Sequence, residues 1–261
     1  MIKFSICFFG MNRSLSFTIN SIQNNIFSAI PHEWKTITCG ALMNCAHSFS
    51  NLRSEEFDAT VERNFEKLIS PDSYEAIDQS EFDFNYRNDL LALDLKDIYS
   101  DNYASLMNMI RELYSIQRAW SWAKKNKPDV VLFLRPDLNY LDKFDFQGSL
   151  NLWGDNSRPI VMTPIWQKWG GVNDRFALTN FHGAEVYGNR FNLFWKYALI
   201  LKNYPQAESL LFTTLFLNGV DFECYLSQRA ARVRSGGNQR EEDYNECGSN
   251  DSLKSFLSSI L

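Results

Sequence analysis

The sequence contains no long apolar run, which argues against a membrane-spanning segment. No stretch of the 261 residues approaches the roughly 20 apolar residues needed to cross a bilayer. The apolar stretch at residues 2–9 is too short for the core of a secretory signal, and the turn at residues 10–13 interrupts it. We therefore expect a cytoplasmic protein without a transmembrane segment.

The sequence also lacks a paired-cysteine motif. Its five cysteines are scattered, and no two of them form a C-x-x-C pair. Cys39, Cys45 and His47 lie close together, but their spacing matches no zinc-binding pattern. Buried free thiols are the better interpretation, and they favour a reducing compartment. The cysteines are Cys7, Cys39, Cys45, Cys224 and Cys247.

An excess of basic residues is missing as well, because the formal net charge is −5. General nucleic-acid binders present a basic face, so we expect no nucleic-acid partner. A local basic pocket is still compatible with this charge. The densest arginine cluster is Arg229, Arg232 and Arg234, for which a solvated strand edge is the competing interpretation.

Strand-like and helix-like segments alternate along the chain, which predicts an α/β fold in one domain over residues 1–261. The predicted strands are residues 2–9, 35–39, 74–77, 130–134, 160–163, 176–179 and 220–226. The predicted helices are residues 15–26, 101–126, 183–203 and 206–218, with a short amphipathic helix in the C-terminal tail at 253–261. Residues 48–72 are expected to form a surface excursion and residues 235–251 a mobile loop, whereas residues 79–100 have no predicted structure.

Two candidate sites follow predicted strands, which is where an α/β sheet binds its ligands. Gly10 allows close backbone approach after the first strand, and Arg13 can contact a phosphate at the start of a helix. Asp137 follows the most apolar strand, and a carboxylate at a strand end suits a divalent ion that bridges a diphosphate. The competing interpretation is a structural ion pair between Asp137 and Arg135.

Two further candidates lie later in the chain. Gly170 and Gly171 permit close approach to a bound group, and the neighbouring Asp174 can bind sugar hydroxyls. A hairpin turn with a salt bridge between Asp174 and Arg175 explains the same residues. Glu208 lies in the first turn of a predicted helix, where the helix dipole favours its ionised form. Such a group suits a general base that deprotonates an acceptor hydroxyl.

The order of these motifs between residues 2 and 234 resembles a group of GT-A-like glycosyltransferases found in bacterial polysaccharide loci and in large viruses. The resemblance is carried by residues 7–13 (CFFGMNR), 113–117 (LYSIQ), 133–138 (FLRPDL), 173–177 (NDRFA) and 207–211 (AESLL). It implies a mixed, mainly parallel Rossmann-like sheet flanked by helices. It also implies sugar transfer from a UDP-, GDP- or dTDP-sugar to a hydroxyl of a glycan or glycoconjugate, in polysaccharide biosynthesis.

The resemblance assigns the nucleotide and its phosphates to the first half of the chain. Gly10, Asn12 and Arg13 would face the nucleotide. Residues 135–137 stand where many GT-A enzymes carry Asp-x-Asp, so Asp137 would bind the diphosphate and a divalent cation, Mn²⁺ or Mg²⁺. Arg135 replaces the first aspartate of that motif and could instead neutralise phosphate directly.

The later motifs are implied to bind the sugar and the acceptor. Gly170 and Gly171 would form a glycine loop beside the donor sugar, and Asp174 would contact the hydroxyls of that sugar. Glu208 would be the base near the acceptor if the enzyme inverts the anomeric configuration. Asp174 and Glu208 are therefore the candidate catalytic residues.

Two departures from the family pattern leave alternatives open. The last histidine is His182, so the C-terminal histidine that often completes metal binding is missing. Arg232 or Arg234 could serve the diphosphate in its place. The replacement of an aspartate by Arg135 also fits a protein that kept the fold to bind sugar or nucleotide and lost catalysis.

A phosphatase or nuclease is the third interpretation, and it needs several carboxylates around a metal cluster. Near the end of one predicted strand only Asp137, Asp142 and Asp145 are available. Asp142 and Asp145 have the sequence context of loop residues, so glycosyl transfer is the function that we expect.

Overall fold

The computed structural model of the chain describes residues 1–45, 47–154, 157–245 and 248–260. The strands are β1 (Lys3–Met11), β2 (Lys35–Asn44), β3 (Phe49–Asn51), β4 (Glu56–Ala59), β5 (Ser73–Asp78), β6 (Val130–Leu134), β7 (Leu138–Tyr140), β8 (Val161–Pro164), β9 (Ala177–Asn180), β10 (Tyr225–Leu226) and β11 (Ala230–Arg232). The α-helices are α1 (Leu15–Ser21), α2 (Phe65–Ile69), α3 (Gln79–Ala92), α4 (Ala104–Ala123), α5 (Phe146–Asn151), α6 (Phe181–Tyr187), α7 (Arg190–Tyr197), α8 (Ala207–Leu217) and α9 (Asp251–Ile260). No helix within these described ranges is long and apolar enough to cross a membrane.

Seven strands form a central sheet in the order β10-β8-β9-β6-β1-β2-β5. Neighbouring strands of this sheet are parallel, except that β9 runs antiparallel to both β6 and β8. Two small antiparallel pairs, β7 with β11 and β3 with β4, lie outside it. The predicted mixed, mainly parallel sheet flanked by helices is therefore confirmed.

Helices cover both faces of the sheet because the side chains on both sides of the central strands are apolar. In β1, Phe4, Ile6 and Phe8 belong to one core, Cys7 and Phe9 belong to the other, and all five are fully buried. Helices α3, α4, α6, α7 and α8 pack on the face of Cys7, whereas α1, α2 and α5 pack on the opposite face. Strand β6 is buried in every residue, which explains its continuous apolar run.

The segment without a predicted structure, residues 79–100, forms helix α3 over most of its length. Asp78 begins this helix, because its carboxylate accepts a hydrogen bond from the Glu81 amide at 2.9 Å. Phe82 and Leu90 are the buried residues of α3. Such a narrow apolar face gives too weak a period to predict a helix from sequence.

Two predicted elements are shorter in the structure than expected. The helix predicted at residues 183–203 is divided into α6 and α7, with the break at Gly188. A Cβ on Gly188 would lie 2.4 Å from the ring of Trp120, so glycine lets the chain pass close to α4. The strand predicted at residues 220–226 is reduced to β10, preceded by an isolated bridge between Ile160 and Asp221.

The cysteines follow the prediction only in part. Cys7 and Cys39 are buried free thiols, as expected. Cys45 and Cys224 are free thiols that are half-buried, so the expected burial is wrong for these two. Cys247 lies outside the described residues.

The chain after β11 packs against the rest of the protein, where the sequence predicts a mobile loop over residues 235–251. The Glu242 side chain is fully buried and accepts hydrogen bonds from Nε and Nη2 of Arg232 at 2.6 and 3.0 Å. It also accepts one from Nε2 of Gln167 at 2.9 Å, and Nη1 of Arg175 lies 3.6 Å away. These contacts hold residues 235–245 in place; residues 246–247 lie outside the described part. The predicted C-terminal helix is confirmed as α9.

We expect Glu242→Gln to lower the free energy of unfolding by about 3 to 5 kcal/mol, because it leaves two arginines without their buried carboxylate. Urea unfolding followed by circular dichroism measures this change. Burial alone would raise the pKa of Glu242, but hydrogen bonds from Arg232 and the charge of Arg175 lower it overall. The stabilisation is therefore present above the unfolded pKa and is lost as the pH falls through the folded pKa.

The neighbouring Glu241 provides the matched control, because its side chain is exposed. We expect Glu241→Gln to change the free energy of unfolding by no more than about 0.5 kcal/mol. Equal stability of the two variants would show that Glu242 does not anchor residues 235–245.

Candidate functional site

A cleft opens at the carboxyl-terminal ends of β1, β2 and β6, the edge at which α/β sheets bind ligands. Its inner part has a volume of about 260 Å³, and Gly10, Met43 and Arg135 line it from the three strand ends. Two adjoining spaces, of about 230 Å³ beside α8 and about 1000 Å³ beside β3, share Asn51 and Asn108 with the inner part. We call the space of about 260 Å³ the inner cleft, the space beside α8 the α8 space, and the space beside β3 the outer cleft.

A series of ion pairs runs along the inner cleft and joins four parts of the fold. Arg135 donates from Nε and Nη2 to the two carboxylate oxygens of Asp137, both at 2.9 Å, and from Nη1 to Glu112 at 2.8 Å. Arg13 has its Nε 3.3 Å from Asp137 and its Nη1 2.6 Å from Glu56. We refer to these five residues as the ion-pair chain. It connects α4, the turn after β6, the turn after β1, and β4.

The arginines determine the protonation state of Asp137. This residue is 1% exposed, and burial alone would raise the pKa of its carboxyl group. The charges of Arg135 and Arg13 outweigh burial and hold that pKa well below its usual range. Glu112 shows the opposite balance, because burial raises its pKa despite the opposing charge of Arg135. Glu56 resembles Asp137, because burial alone would raise its pKa, but the charge of Arg13 and hydrogen bonds to its carboxylate lower that pKa overall. Asp137 and Glu56 are therefore the carboxylates of the ion-pair chain whose ionised forms are favoured.

The contacts of Asp137 do not fit the metal-binding role that the sequence predicts for it. Both carboxylate oxygens already accept hydrogen bonds from Arg135, so a divalent cation in that place would face the guanidinium groups of Arg135 and Arg13. Among the described residues, no three His, Cys, Asp or Glu side chains come together in a group that could hold a metal ion. The geometry agrees instead with the competing interpretation, a structural ion pair of Arg135 and Asp137.

The other two carboxylates considered near the end of β6, those of Asp142 and Asp145, bind other parts of the fold. Asp142 forms a surface ion pair with Arg229, with 2.9 Å between Oδ1 and Nη2. Asp145 caps α5, because its Oδ1 accepts a hydrogen bond from the Gly148 amide at 2.8 Å. The convergence of carboxylates that a phosphatase or nuclease would need is not formed by these residues.

Arg234 reaches the inner cleft, whereas Arg232 is held by Glu242. The side chain of Arg234 is 13% exposed, and its Nη1 lies 3.8 Å from Glu56. Its Nε is buried and makes no hydrogen bond with any residue that the structure describes. Burial and the charge of Arg13 lower the pKa of Arg234 to about 10. Both predicted arginines line the α8 space, but Glu242 holds Nε and Nη2 of Arg232, whereas the side chain of Arg234 has no hydrogen-bond partner among the described residues.

The turn after β1 has the open backbone that the sequence predicts, but Asn12 points away from the cleft. Gly10 has a φ of +92°, and no atom lies within 4 Å of the place that a Cβ would take. The Nδ2 of Asn12 donates to the Glu62 carbonyl at 2.9 Å and to the Asn64 side chain at 3.0 Å. Gly10 and Arg13 therefore face the inner cleft, and Asn12 fixes the loop before α2.

Of the two glycines in the loop after β8, Gly171 packs against α8. A Cβ on Gly171 would lie 2.2 Å from the carbonyl oxygen of Glu208, and the Val172 amide donates to the same oxygen at 3.1 Å. Gly170 has a φ of +79°, a left-handed conformation that favours glycine. Neither glycine is among the described residues that line the cleft. The close contact of Gly171 with α8 brings Asp174 to the same wall as Glu208.

Asp174 and Glu208 form a pair of carboxylates on the wall of the α8 space. The Asp174 carboxylate makes no hydrogen bond or ion pair with any other described residue, and Arg175 turns instead to Gln167 and Glu242. Burial and the charge of Asp174 raise the pKa of Glu208 to about 8. The expectation that the helix dipole keeps Glu208 ionised is therefore wrong, because burial and the neighbouring carboxylate outweigh the dipole. A group with this pKa can accept or donate a proton near neutral pH.

Several residues of the cleft are absent from the sequence prediction. Glu112 immediately precedes the motif at 113–117 and is a charged residue beside the apolar face of α4. This position could have indicated from the sequence that Glu112 belongs to the site. Arg190, the first residue of α7, lines the inner cleft although it is 4% exposed. Glu56 lies in the segment predicted as a surface excursion, yet it is 4% exposed. No local pattern distinguishes Arg190 or Glu56 from ordinary surface charges.

No family model matches this chain, and no curated protein matches it in sequence. Among solved structures, the chain is similar to the apo crystal structure of mouse xyloside xylosyltransferase 1. That likeness has a TM-score of 0.43 and 9% sequence identity, and it covers 86% of this chain and 84% of the mouse chain. A likeness this distant carries no conclusion about donor, acceptor or metal.

We expect Asp137→Asn to lower the free energy of unfolding by about 3 kcal/mol or more, because Arg135 and Arg13 then lose their shared buried charge. Since the folded pKa of Asp137 is lowered, its stabilisation is present above the unfolded pKa and is lost as the pH falls towards the folded value. Thermal and urea unfolding between pH 3 and 8 measure both effects.

Asp142→Asn makes the same chemical change in a surface ion pair with Arg229, so it should cost at most about 1 kcal/mol. If Asp137→Asn unfolds like wild type but loses affinity for Mn²⁺ or Mg²⁺, Asp137 is a metal ligand after all, and the structural interpretation fails.

Proposed function

We propose that this protein is a GT-A-type glycosyltransferase that moves a sugar from a nucleotide-sugar donor to a hydroxyl of a glycan or glycoconjugate. One observation carries the proposal: a single cleft at the ends of the parallel strands combines arginine side chains with a pair of carboxylates, and burial raises the pKa of one of them, Glu208, to about 8. The arginines suit a diphosphate leaving group, and the carboxylates suit sugar hydroxyls and a proton transfer.

The donor would lie in the inner cleft. The open backbone at Gly10 allows close approach of the nucleotide, and Arg13 and Arg234 face the same space. Guanidinium groups in a partly buried place stabilise the negative charge that develops on the departing diphosphate. Arg135 lines this space too, although most of its donors are engaged with Asp137 and Glu112.

The acceptor would enter through the outer cleft and meet Glu208 in the α8 space. In its ionised form Glu208 takes the proton of the acceptor hydroxyl while that oxygen bonds to the anomeric carbon. The bond from this carbon to the diphosphate breaks, and the nucleoside diphosphate leaves with the electron pair. Asp174 would hold hydroxyls of the donor sugar, because its carboxylate accepts no hydrogen bond within the described residues.

A protein that binds a sugar or nucleotide without catalysis is the second candidate. The bidentate pair of Arg135 and Asp137 favours it, because the aspartate expected to serve the donor is committed to the fold. The two candidates differ in one property, the release of a nucleoside diphosphate from a bound nucleotide sugar.

The first experiment incubates the protein with UDP-, GDP- and dTDP-sugars and measures released nucleoside diphosphate, with and without a mixture of oligosaccharide acceptors. Thermal shift identifies the donor, since a ligand at 100 times its Kd stabilises the fold by about 2.7 kcal/mol. Release that depends on acceptor supports the transferase, and binding without release supports the second candidate. If no nucleotide binds to folded protein at millimolar concentration, the transferase and the nucleotide-binding form of the second candidate both fail.

We expect Glu208→Gln to reduce turnover by about 10²- to 10⁴-fold while donor affinity stays nearly unchanged, the usual effect of removing a general base. Because the base acts in its ionised form and its pKa is about 8, the turnover of the wild type should rise with pH through that value. Initial rates between pH 6 and 10 measure this profile.

Asp174→Asn tests whether Glu208 produces this pH dependence of turnover. Removing the charge of Asp174 should lower the pKa of Glu208 and so move the midpoint of the pH–rate profile to lower pH. Glu223→Gln is the control, since that side chain is 83% exposed and should leave rate and profile unchanged. A Glu208→Gln enzyme with normal turnover would remove Glu208 from the mechanism and would favour a retaining reaction.

A further inference from the structure

Arg190 is a buried arginine that the mechanism has not used. It is 4% exposed and lines the inner cleft. Its Nε donates to the Tyr187 carbonyl at 3.2 Å, and its guanidinium group lies 4.0 Å from the centre of the Tyr187 ring. Its Nη2 is buried without a hydrogen-bond partner among the described residues, as is the Tyr187 hydroxyl. Arg190 therefore has a buried donor without a partner on an element that lines the cleft, whereas Tyr187 is fully buried and does not line it.

The charge of Arg190 is compensated only in part by carboxylates. Within the described chain Arg190 forms no ion pair; its charge opposes the rise that burial causes in the pKa of Glu112, but the carboxylate of Glu112 is held by Arg135 at 2.8 Å. A buried guanidinium without a carboxylate is costly unless an anion or a ring compensates it, and the ring of Tyr187 compensates only part of the charge. An anion bound in the inner cleft would supply what is missing.

Arg234 offers a second incompletely paired guanidinium to the same space. Its closest carboxylate oxygen, in Glu56, lies 3.8 Å away, and Arg13 holds the same oxygen at 2.6 Å. Its Nε is buried and makes no hydrogen bond to a described residue. Arg190 and Arg234 come from α7 and from the segment after β11, so an anion between them would contact two distant parts of the chain.

We propose that Arg190 and Arg234, with Arg135 in the same inner cleft, form a diphosphate-binding subsite that needs no divalent cation. The identity of the anion as the diphosphate of a nucleotide sugar rests on the proposed function. The subsite itself rests on the two incompletely paired arginines and on the contacts of Asp137, which do not suit a metal. Arginine suits this role because its planar donors match two phosphate oxygens at once.

Inorganic pyrophosphate is the probe, since it tests the anion site without assuming a nucleotide. Calorimetry and thermal shift are performed on the full chain in EDTA and again with excess MgCl₂. We expect pyrophosphate to bind in EDTA with an affinity similar to that measured with magnesium.

Arg190→Met keeps most of the side-chain volume and removes the charge. It should weaken pyrophosphate binding in EDTA by about 10- to 100-fold, the effect of losing hydrogen bonds to a charged group. It should also retain or raise the melting temperature of the unliganded protein, because an unpaired buried charge is removed. Arg229→Met is the matched control, since Arg229 is 51% exposed, pairs with Asp142 and lies outside the cleft lining. It should bind pyrophosphate as wild type does.

Arg234→Gln provides a second test on another element, and it should weaken pyrophosphate binding in the same way even if Arg190→Met folds poorly. Pyrophosphate binding that requires magnesium, or that survives both substitutions, overturns the subsite. If pyrophosphate binding requires magnesium or survives both substitutions, but the protein still transfers sugar from a nucleotide sugar, the subsite is wrong and the proposed function stands. Pyrophosphate binding without any nucleotide binding would instead keep the anion site and refute the transferase.

Discussion

The bidentate pair of Arg135 and Asp137 is the interaction on which the arrangement of the cleft depends. Asp137 is buried at the end of the central strand β6, and a buried carboxylate persists there because two guanidinium groups surround it. Through Arg13 the pair reaches Glu56 and the hairpin of β3 and β4, and through Arg135 it reaches Glu112 on α4. The ion-pair chain therefore holds the walls of the inner cleft together in the absence of a ligand.

This commitment of Asp137 changes what the cleft can do chemically. A carboxylate with both oxygens bound to arginine has little left for a cation, which is why we propose that arginine side chains supply the positive charge at the site. Arg190 and Arg234 provide that charge without close carboxylate partners of their own. Burying a guanidinium group without a nearby negative charge costs free energy. A bound anion would supply that negative charge.

A second constraint, the contact between Gly171 and the backbone of Glu208, places the carboxylate pair. No residue with a side chain fits there, because its Cβ would lie 2.2 Å from a carbonyl oxygen. The contact fixes the loop after β8 on the first turn of α8 and so brings Asp174 near Glu208. Their proximity and burial, rather than the helix dipole, set the pKa of Glu208. The α8 space thus brings this carboxylate pair together with Arg135 and Arg234, which also line it.

The sequence by itself determined the α/β class, the central strands and the positions of Gly10, Arg13 and Glu208, because strand burial and helix periodicity are local patterns. It did not determine α3, whose apolar face is narrow, nor the burial of Glu56 and Arg190, which have the appearance of surface charges. Only the tertiary structure decided that Asp137 pairs with arginines and that Gly171 serves helix packing. The sequence left a metal ligand and an ion pair with Arg135 open for Asp137, and the added charge of Arg13 and the contact of Gly171 with Glu208 depend on partners distant in the chain.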